Sequence, residues 1–288
     1  NDYDKMISSI GAKGTNAYTS VERTVYINEI PSNEFEKWLS IEAERFSELV
    51  LRLFHTELEA VYEEYNRGKD NDYRLAYETM SAKLFKKHTY GTQTTIGTGE
   101  HLKNPSMEKI HQYFNDWYVP NNMAIILSGD INPDLTVDLI KQYFGTFESK
   151  EVPIFEAAVE DEITEPEYIT VTGTNTAWVN IGYRLPGIKS EDIYMMDLFD
   201  GLLNNGQAGL IDLNLIKGQK VLDAYCYGNV MKDYSVFELQ GVPREGQSLD
   251  EVKDLLLAEI EKIKSGDFED WILKAVIKNF KLREQEGL

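Results

Sequence analysis

Between residues 8 and 30 the chain alternates apolar and polar positions, in Ala17-Tyr18-Thr19-Ser20 and in Thr24-Val25-Tyr26-Ile27, with Gly11 and Gly14 as punctuation. Period-two alternation rich in β-branched and aromatic residues predicts half-buried strands and turns. Pro31-Ser32 ends that stretch and opens a helix with Glu34 and Glu36 in its first turn, where the helix dipole favours acids. Phe35, Trp38, Leu39, Phe46 and Leu49 then recur at helical spacing as one apolar stripe. Further helices are expected through residues 57–64 and over about 73–87, the latter with Leu75, Met80 and Leu84 facing inward. After a Thr- and Gly-rich loop over 88–99, Asn104-Pro105 reads as the cap and N1 proline of a helix carrying Ile110, Phe114 and Trp117. The apolar run Met123-Ala124-Ile125-Ile126-Leu127-Ser128 reads as a buried strand ended by Gly129-Asp130, and a helix over 133–144 follows.

The grammar then changes. Residues 148–167 are acidic and broken by Pro153 and Pro166, which predicts an interdomain linker. Beyond it come a strand over 177–185, a helix capped by Ser190 and running to Leu203, a hairpin over 221–242, and a helix from Ser248 to Lys264. Strand pairs followed by a helix thus recur in both halves, at 18–46 and at 225–263, without residue-level identity. The expected architecture is α+β: two similar domains, each a largely antiparallel sheet with helices packed mainly on one face.

Composition narrows the partners. The 288 residues carry 49 acidic against 29 basic side chains, a formal charge of −20. Such a surface repels phosphate backbones and anionic headgroups, so neither nucleic acid nor a membrane surface is an expected partner. It suits basic peptides, or serves solubility alone. No apolar run approaches the ~20 residues of a membrane span. The lone Cys226 excludes an internal disulfide framework and reads as a small buried residue of a strand.

Candidate chemistry rests on carboxylates. Glu57 and Glu64 are seven residues apart, which on a helix puts them within about 20° of one face, with Val61 between them. Both carboxylates are therefore expected to point toward a packed surface, where they could bind a cation or do acid–base work. In so acidic a chain the same spacing also arises by chance. The histidines, His55, His88, His101 and His111, share no metal-binding helical spacing and read as solvent or loop residues.

Taken in order, several of these segments resemble the M16 metallopeptidases, the family of pitrilysin, insulysin and the mitochondrial processing peptidases. The matching text is Ile10-Gly11, Gly14-Thr15-Asn16-Ala17-Tyr18-Thr19-Ser20, Thr24-Val25-Tyr26, Glu57-Leu58-Glu59-Ala60-Val61-Tyr62-Glu63-Glu64, His88-Thr89-Tyr90-Gly91, Tyr118-Val119-Pro120-Asn121-Asn122-Met123 and Ser128-Gly129-Asp130. The resemblance implies a catalytic-type domain over 1–150, a linker over 151–167, and a second, non-catalytic domain over 168–288. It makes Glu64 the third ligand of a Zn²⁺ ion and Glu57 an acid that supports the site without touching the metal. It makes Asn16, Ala17, Tyr18 and Thr19 a strand edge that pairs with a peptide substrate. Adding an extended peptide to a sheet edge gives sequence-tolerant affinity through main-chain hydrogen bonds. The implied chemistry is metal-assisted peptide hydrolysis, with two His and one Glu on zinc, an open position for water, and the Glu of HxxEH as general base.

The sequence departs from that pattern at one point: no HxxEH occurs in it. In the family the motif precedes the Asn-Ala-Tyr-Thr strand, and this chain opens with Asn1 rather than Met. Two expectations follow. Either the chain is part of a longer zinc endopeptidase, is inactive alone, and works with further M16 domains of the same chain or a partner subunit. Or it is a non-catalytic M16-like peptide-binding or structural subunit. A bacterial periplasm or cell envelope is the favoured setting.

Overall fold

The computed structural model describes residues 2–287. In chain order these form α1 (Asp2–Ser9), β1 (Gly14–Thr19), β2 (Thr24–Glu29), α2 (Phe35–Ser47), α3 (Phe54–Lys69), α4 (Asp72–Leu84), the short α5 (Thr89–Thr92) and α6 (Gly99–Lys103), and α7 (Met107–Trp117). There follow α8 (Pro133–Phe144), β3 (Val179–Pro186), α9 (Asp192–Leu203), β4 (Asp223–Val230), β5 (Tyr234–Val242), α10 (Leu249–Ser265) and α11 (Asp270–Glu286). Two compact units result: the chain up to Asp70 with Gln93–Ala158, and Asn71–Thr92 with the chain from Val159 on. Helices combine with antiparallel sheets in both, the α+β architecture expected.

The second unit is built around β5, the middle strand of the antiparallel sheet β3-β5-β4. Phe237 and Leu239 point to a core completed by Leu203, Val252, Leu256, Ile272 and Val276 of α9, α10 and α11. On the opposite face Val236 joins Met80, Leu84 and Phe85. Glu238 shares that face: it stands opposite Gly182, where a Cβ would run into Met80 and Leu84. Ser248 and Glu251 form a complete capping box at the start of α10, as the Ser-x-x-Glu spelling dictates.

The segment after residue 150 has no helix or strand until β3, yet its second half is tied down. The Glu160 carboxylate accepts the backbone N–H groups of Lys87 and His88, each at 2.7 Å, and lies near Arg184. Lys87 pairs with Asp161 at 2.6 Å, and Glu167 with Lys83 at 3.3 Å and with Lys86. The buried carboxylate of Asp72, in the first turn of α4, accepts the N–H groups of Thr174 and Asn175 at 2.7 and 2.8 Å. Burial pushes the Glu160 carboxyl up, but the N–H donors of residues 86–88 and the Arg184 charge outweigh it and hold the group below its ordinary range.

The first unit is thinner. Its sheet is the hairpin β1-β2 alone, and α2 packs against α1 and α8. Among its described residues the buried apolar side chains are Ile7, Ile10, Phe35, Leu39, Ala43 and Val119. Arg45 of α2 braces the hairpin: its guanidinium sits 4.5 Å from the ring centroids of Tyr3, Tyr26 and Phe46 and pairs with the buried Glu42.

Two expectations fail here. Residues 123–128 form no strand, and Ile126 is 90% exposed. An apolar run becomes a buried strand only where a neighbour takes its ladder hydrogen bonds, and β1 and β2 pair only with each other. The cap of α7 is Ser106, which accepts the Lys109 N–H at 3.2 Å, not Asn104. Asn104 instead closes the unforeseen α6, donating its N–H to Glu100.

Removing the Asp72 carboxylate leaves two backbone N–H groups without their acceptor, so Asp72→Ala should destabilise the second unit by about 1–3 kcal/mol in chemical denaturation. Gly173→Ala should also destabilise it, because the added Cβ would lie 2.2–2.4 Å from the same carboxylate. The lowered Glu160 carboxyl carries a pH signature. Its stabilisation is present above the unfolded value of 4.5 and is lost as pH falls through the folded value. Glu160→Gln should therefore lower stability near neutrality and flatten the acid limb of the urea midpoint plotted against pH.

Candidate metal and peptide site

All six residues of β1 are exposed. At the hairpin end Ser20 N–H donates to Arg23 O at 2.8 Å. Ladder bonds alternate along an antiparallel pair, so Tyr18↔Val25 and Asn16↔Ile27 are hydrogen-bonded pairs, whereas Thr19↔Thr24, Ala17↔Tyr26 and Thr15↔Asn28 are not. The backbone groups of Thr15, Ala17 and Thr19 therefore point away from β2. The Ala17 N–H is met by the side-chain Oδ1 of its neighbour Asn16 at 2.9 Å. Among the described residues β1 has no second strand partner, so Asn16, Ala17, Tyr18 and Thr19 lie on an open edge.

Behind the hairpin, the Tyr26 and Tyr118 hydroxyls meet at 2.8 Å, and Phe46 stacks on Tyr118. Burial pushes the Tyr118 hydroxyl above its ordinary range, and its bond to Tyr26 adds to this. The sequence marked Tyr26 only as a strand residue and Tyr118 only as part of a turn. Nothing in their spacing, 92 residues apart, signals the contact.

Glu57 and Glu64 both lie on α3 and both are exposed, with Val61 between them 37% exposed. The seven-residue spacing does align the two carboxylates, but their face is not the packed one. The half-buried apolar and aromatic side chains of α3 are Phe54, Leu58, Tyr62 and Tyr65. The Tyr65 ring lies where a Cβ on Gly99 of α6 would stand, and Lys103 of α6 lies 5.4 Å from the Tyr62 centroid. Bulky aromatic side chains decide which side of an amphipathic helix turns inward. The face carrying the acids is left open.

Of the histidines, His55, His101 and His111 are exposed, as expected. His88 is fully buried instead. Its Nδ1 accepts the Tyr90 N–H at 3.2 Å, and its Nε2 lies 3.4 Å from the Asp233 carboxylate. Cys226 is buried, as its strand setting suggested, with Sγ 3.4 Å from the Asp200 carboxylate.

A catalytic zinc needs three protein ligands converging on one point. No group of three His, Cys, Asp or Glu side chains among the described residues is placed to hold an ion. The residues present do not make a complete donor set and do not fit the metal by themselves. No described helix is long and apolar enough to cross a membrane.

Comparison with known proteins agrees with the order of these elements. The chain is 23% identical over 274 residues to the zinc protease PqqE of Helicobacter pylori, covering 92% of this chain and 61% of that protein. The crystal structure of a protease from Helicobacter pylori superposes with a TM-score of 0.84 at 21% identity, over 99% of this chain and 70% of that one. The periplasmic protease PqqL from Escherichia coli shares the fold at a TM-score of 0.70 and 18% identity, over 98% of this chain and 33% of that one. The chain thus spans about three fifths of the length of its Helicobacter relative. Residues 1–98 match the family profile described as insulinase, peptidase family M16, and residues 106–280 match the one described as the peptidase M16 inactive domain. The chain belongs to peptidase family M16, and its sequence contains no HxxEH motif.

Proposed function

We propose that this chain is part of a zinc-dependent endopeptidase that hydrolyses extended or unfolded peptides. In this reading it supplies Glu64 to the metal, Glu57 as a supporting acid, and the Asn16–Thr19 edge to the substrate backbone. The observation that carries the proposal is the open edge of β1, whose Ala17 N–H points away from β2 beside the Asn16 amide. A peptide laid along this edge would gain main-chain hydrogen bonds whatever its sequence. Asn16 Oδ1 would exchange its bond to Ala17 for one to the incoming strand. The histidines and the general base would come from outside this chain, which alone would be inactive. The domain limits proposed are 1–150 and 168–288, with 151–167 between them. Further M16 domains, in the same chain or a partner subunit, would enclose the substrate. A periplasmic or envelope setting is proposed by analogy with the Escherichia coli protease.

The match of residues 106–280 to the inactive M16 domain and the incomplete donor set favour a second reading, a non-catalytic peptide-binding or structural subunit. The two readings part on metal.

Zinc content and peptide cleavage of the full-length protein decide between them. Under the enzymatic reading Glu64→Gln removes both, and Glu57→Gln weakens zinc retention about ten- to a hundredfold, the usual cost of losing a group that orients a ligand. Unchanged zinc and activity in Glu64→Gln would remove Glu64 from the site. Separately, Ala17→Pro deletes one edge donor and should weaken binding of an extended peptide about two- to tenfold, as measured by calorimetry, under either reading.

A further inference from the structure

From Val159 to Ala177 the chain forms no helix or strand, and every residue but Glu160 is exposed. A stretch with almost no apolar burial is held by its polar anchors and opens locally at little cost. The outer anchors of its first part are surface ion pairs, Asp161 with Lys87 and Glu167 with Lys83 and Lys86, of the kind that contributes little to stability. The inner anchor is Glu160, whose side chain is 2% exposed.

Glu160 sits in a set of donors that the rest of the second unit holds in place. One carboxylate oxygen accepts the Lys87 and His88 amides at 2.7 Å each, and the Lys86 amide also faces the group. The other oxygen lies 3.5 Å from Nη1 of Arg184 on β3. The three amides lie in the turn between α4 and α5, before α5 begins. That turn has fastenings of its own. Phe85 N–H donates to Ser81 O at 2.8 Å, and Nδ1 of the buried His88 accepts the Tyr90 N–H at 3.2 Å. The Arg184 guanidinium is likewise placed by its bond to Leu84 O and by the Tyr234 ring, 5.6 Å away. Consecutive amides turned toward one point make an anion-binding concavity, and the arginine fork beside them matches a planar carboxylate.

We propose that residues 86–88 and Arg184 form a carboxylate-binding site, that Glu160 fills it as a plug, and that residues 159–167 are the strap carrying that plug. With the strap in place the site is closed. With the strap away it takes a carboxylate from another molecule. The donors are held by α4, β3 and the Tyr90 turn rather than by the strap, so the site persists when Glu160 leaves it. Every residue invoked belongs to the second unit, and the proposal does not depend on the peptidase reading.

Chemical rescue tests it. Glu160→Ala empties the site, and its thermal melts are compared in sodium formate and in sodium chloride at the same ionic strength, beside the unsubstituted chain. Formate should raise the melting temperature of Glu160→Ala by about 2–4 °C more than chloride does. The unsubstituted chain should show no such preference, and adding Arg184→Met to Glu160→Ala should abolish it. If Glu160→Ala is unfolded in chloride, recovery of its near-ultraviolet circular dichroism in formate reads the same binding. Proteolytic nicking within residues 159–167 should quicken severalfold in Glu160→Ala, because the strap has lost its pin. Equal effects of the two salts on Glu160→Ala, in melting or in recovery, would overturn the proposal. So would a formate preference shared by the unsubstituted chain, one that survives Arg184→Met, or unchanged nicking of the strap.

Discussion

A β-strand is stable only where its backbone groups are paired and its side chains have something to pack against, and among the described residues β5 is the strand that meets both demands in full. Its two edges are bonded to β3 and β4, and residues Ser235–Gly241 are buried along its whole middle. The helices α9, α10 and α11 collect on one face because Phe237 and Leu239 offer them apolar surface. α4 closes the other face, and the segment before β3 is tied down through Asp72 of α4 and through Glu160. The first unit lacks any such strand. Among the described residues β1 and β2 pair only with each other, and the apolar run at 123–128 has no strand partner. The same deficiency that makes this unit thin is what leaves β1 with an open edge.

That contrast explains what the sequence made legible. The hairpin at 221–242 and the capped helix after Ser248 could be read from spacing, because turn residues, period-two alternation and a Ser-x-x-Glu cap act locally. The Asn132 cap of α8 is equally local, though the sequence reading named only the helix that follows it. The strand expected at 123–128 failed because its hydrophobicity states a need for a partner and cannot state that one is present. The face of α3 was misassigned for a related reason. Spacing aligned Glu57 with Glu64, but only the contact of Tyr62 and Tyr65 with α6 determined that their side would be solvent-facing. Tertiary anchors such as Asp72 to Thr174, 102 residues apart, leave no local trace.

Family membership came from order rather than from any single motif. Short, individually weak strings in the right succession correspond to the M16 profiles that cover residues 1–98 and 106–280. Chemistry is harder to carry across. A zinc site is a convergence of side chains from different segments, and under the enzymatic reading proposed for this chain the exposed acids of α3 and the edge of β1 are the parts it would contribute.

Hydrogen exchange at β1 tests the central claim, that this edge receives an extended peptide. Adding a saturating unstructured peptide should slow exchange at the Thr15, Ala17 and Thr19 amides, which point away from β2, and leave Asn16 and Tyr18, already paired to β2, nearly unchanged. Protection that alternates in this way is the signature of strand addition. No change at β1, or uniform protection without alternation, would contradict the claim and leave β1 as a solvated hairpin edge.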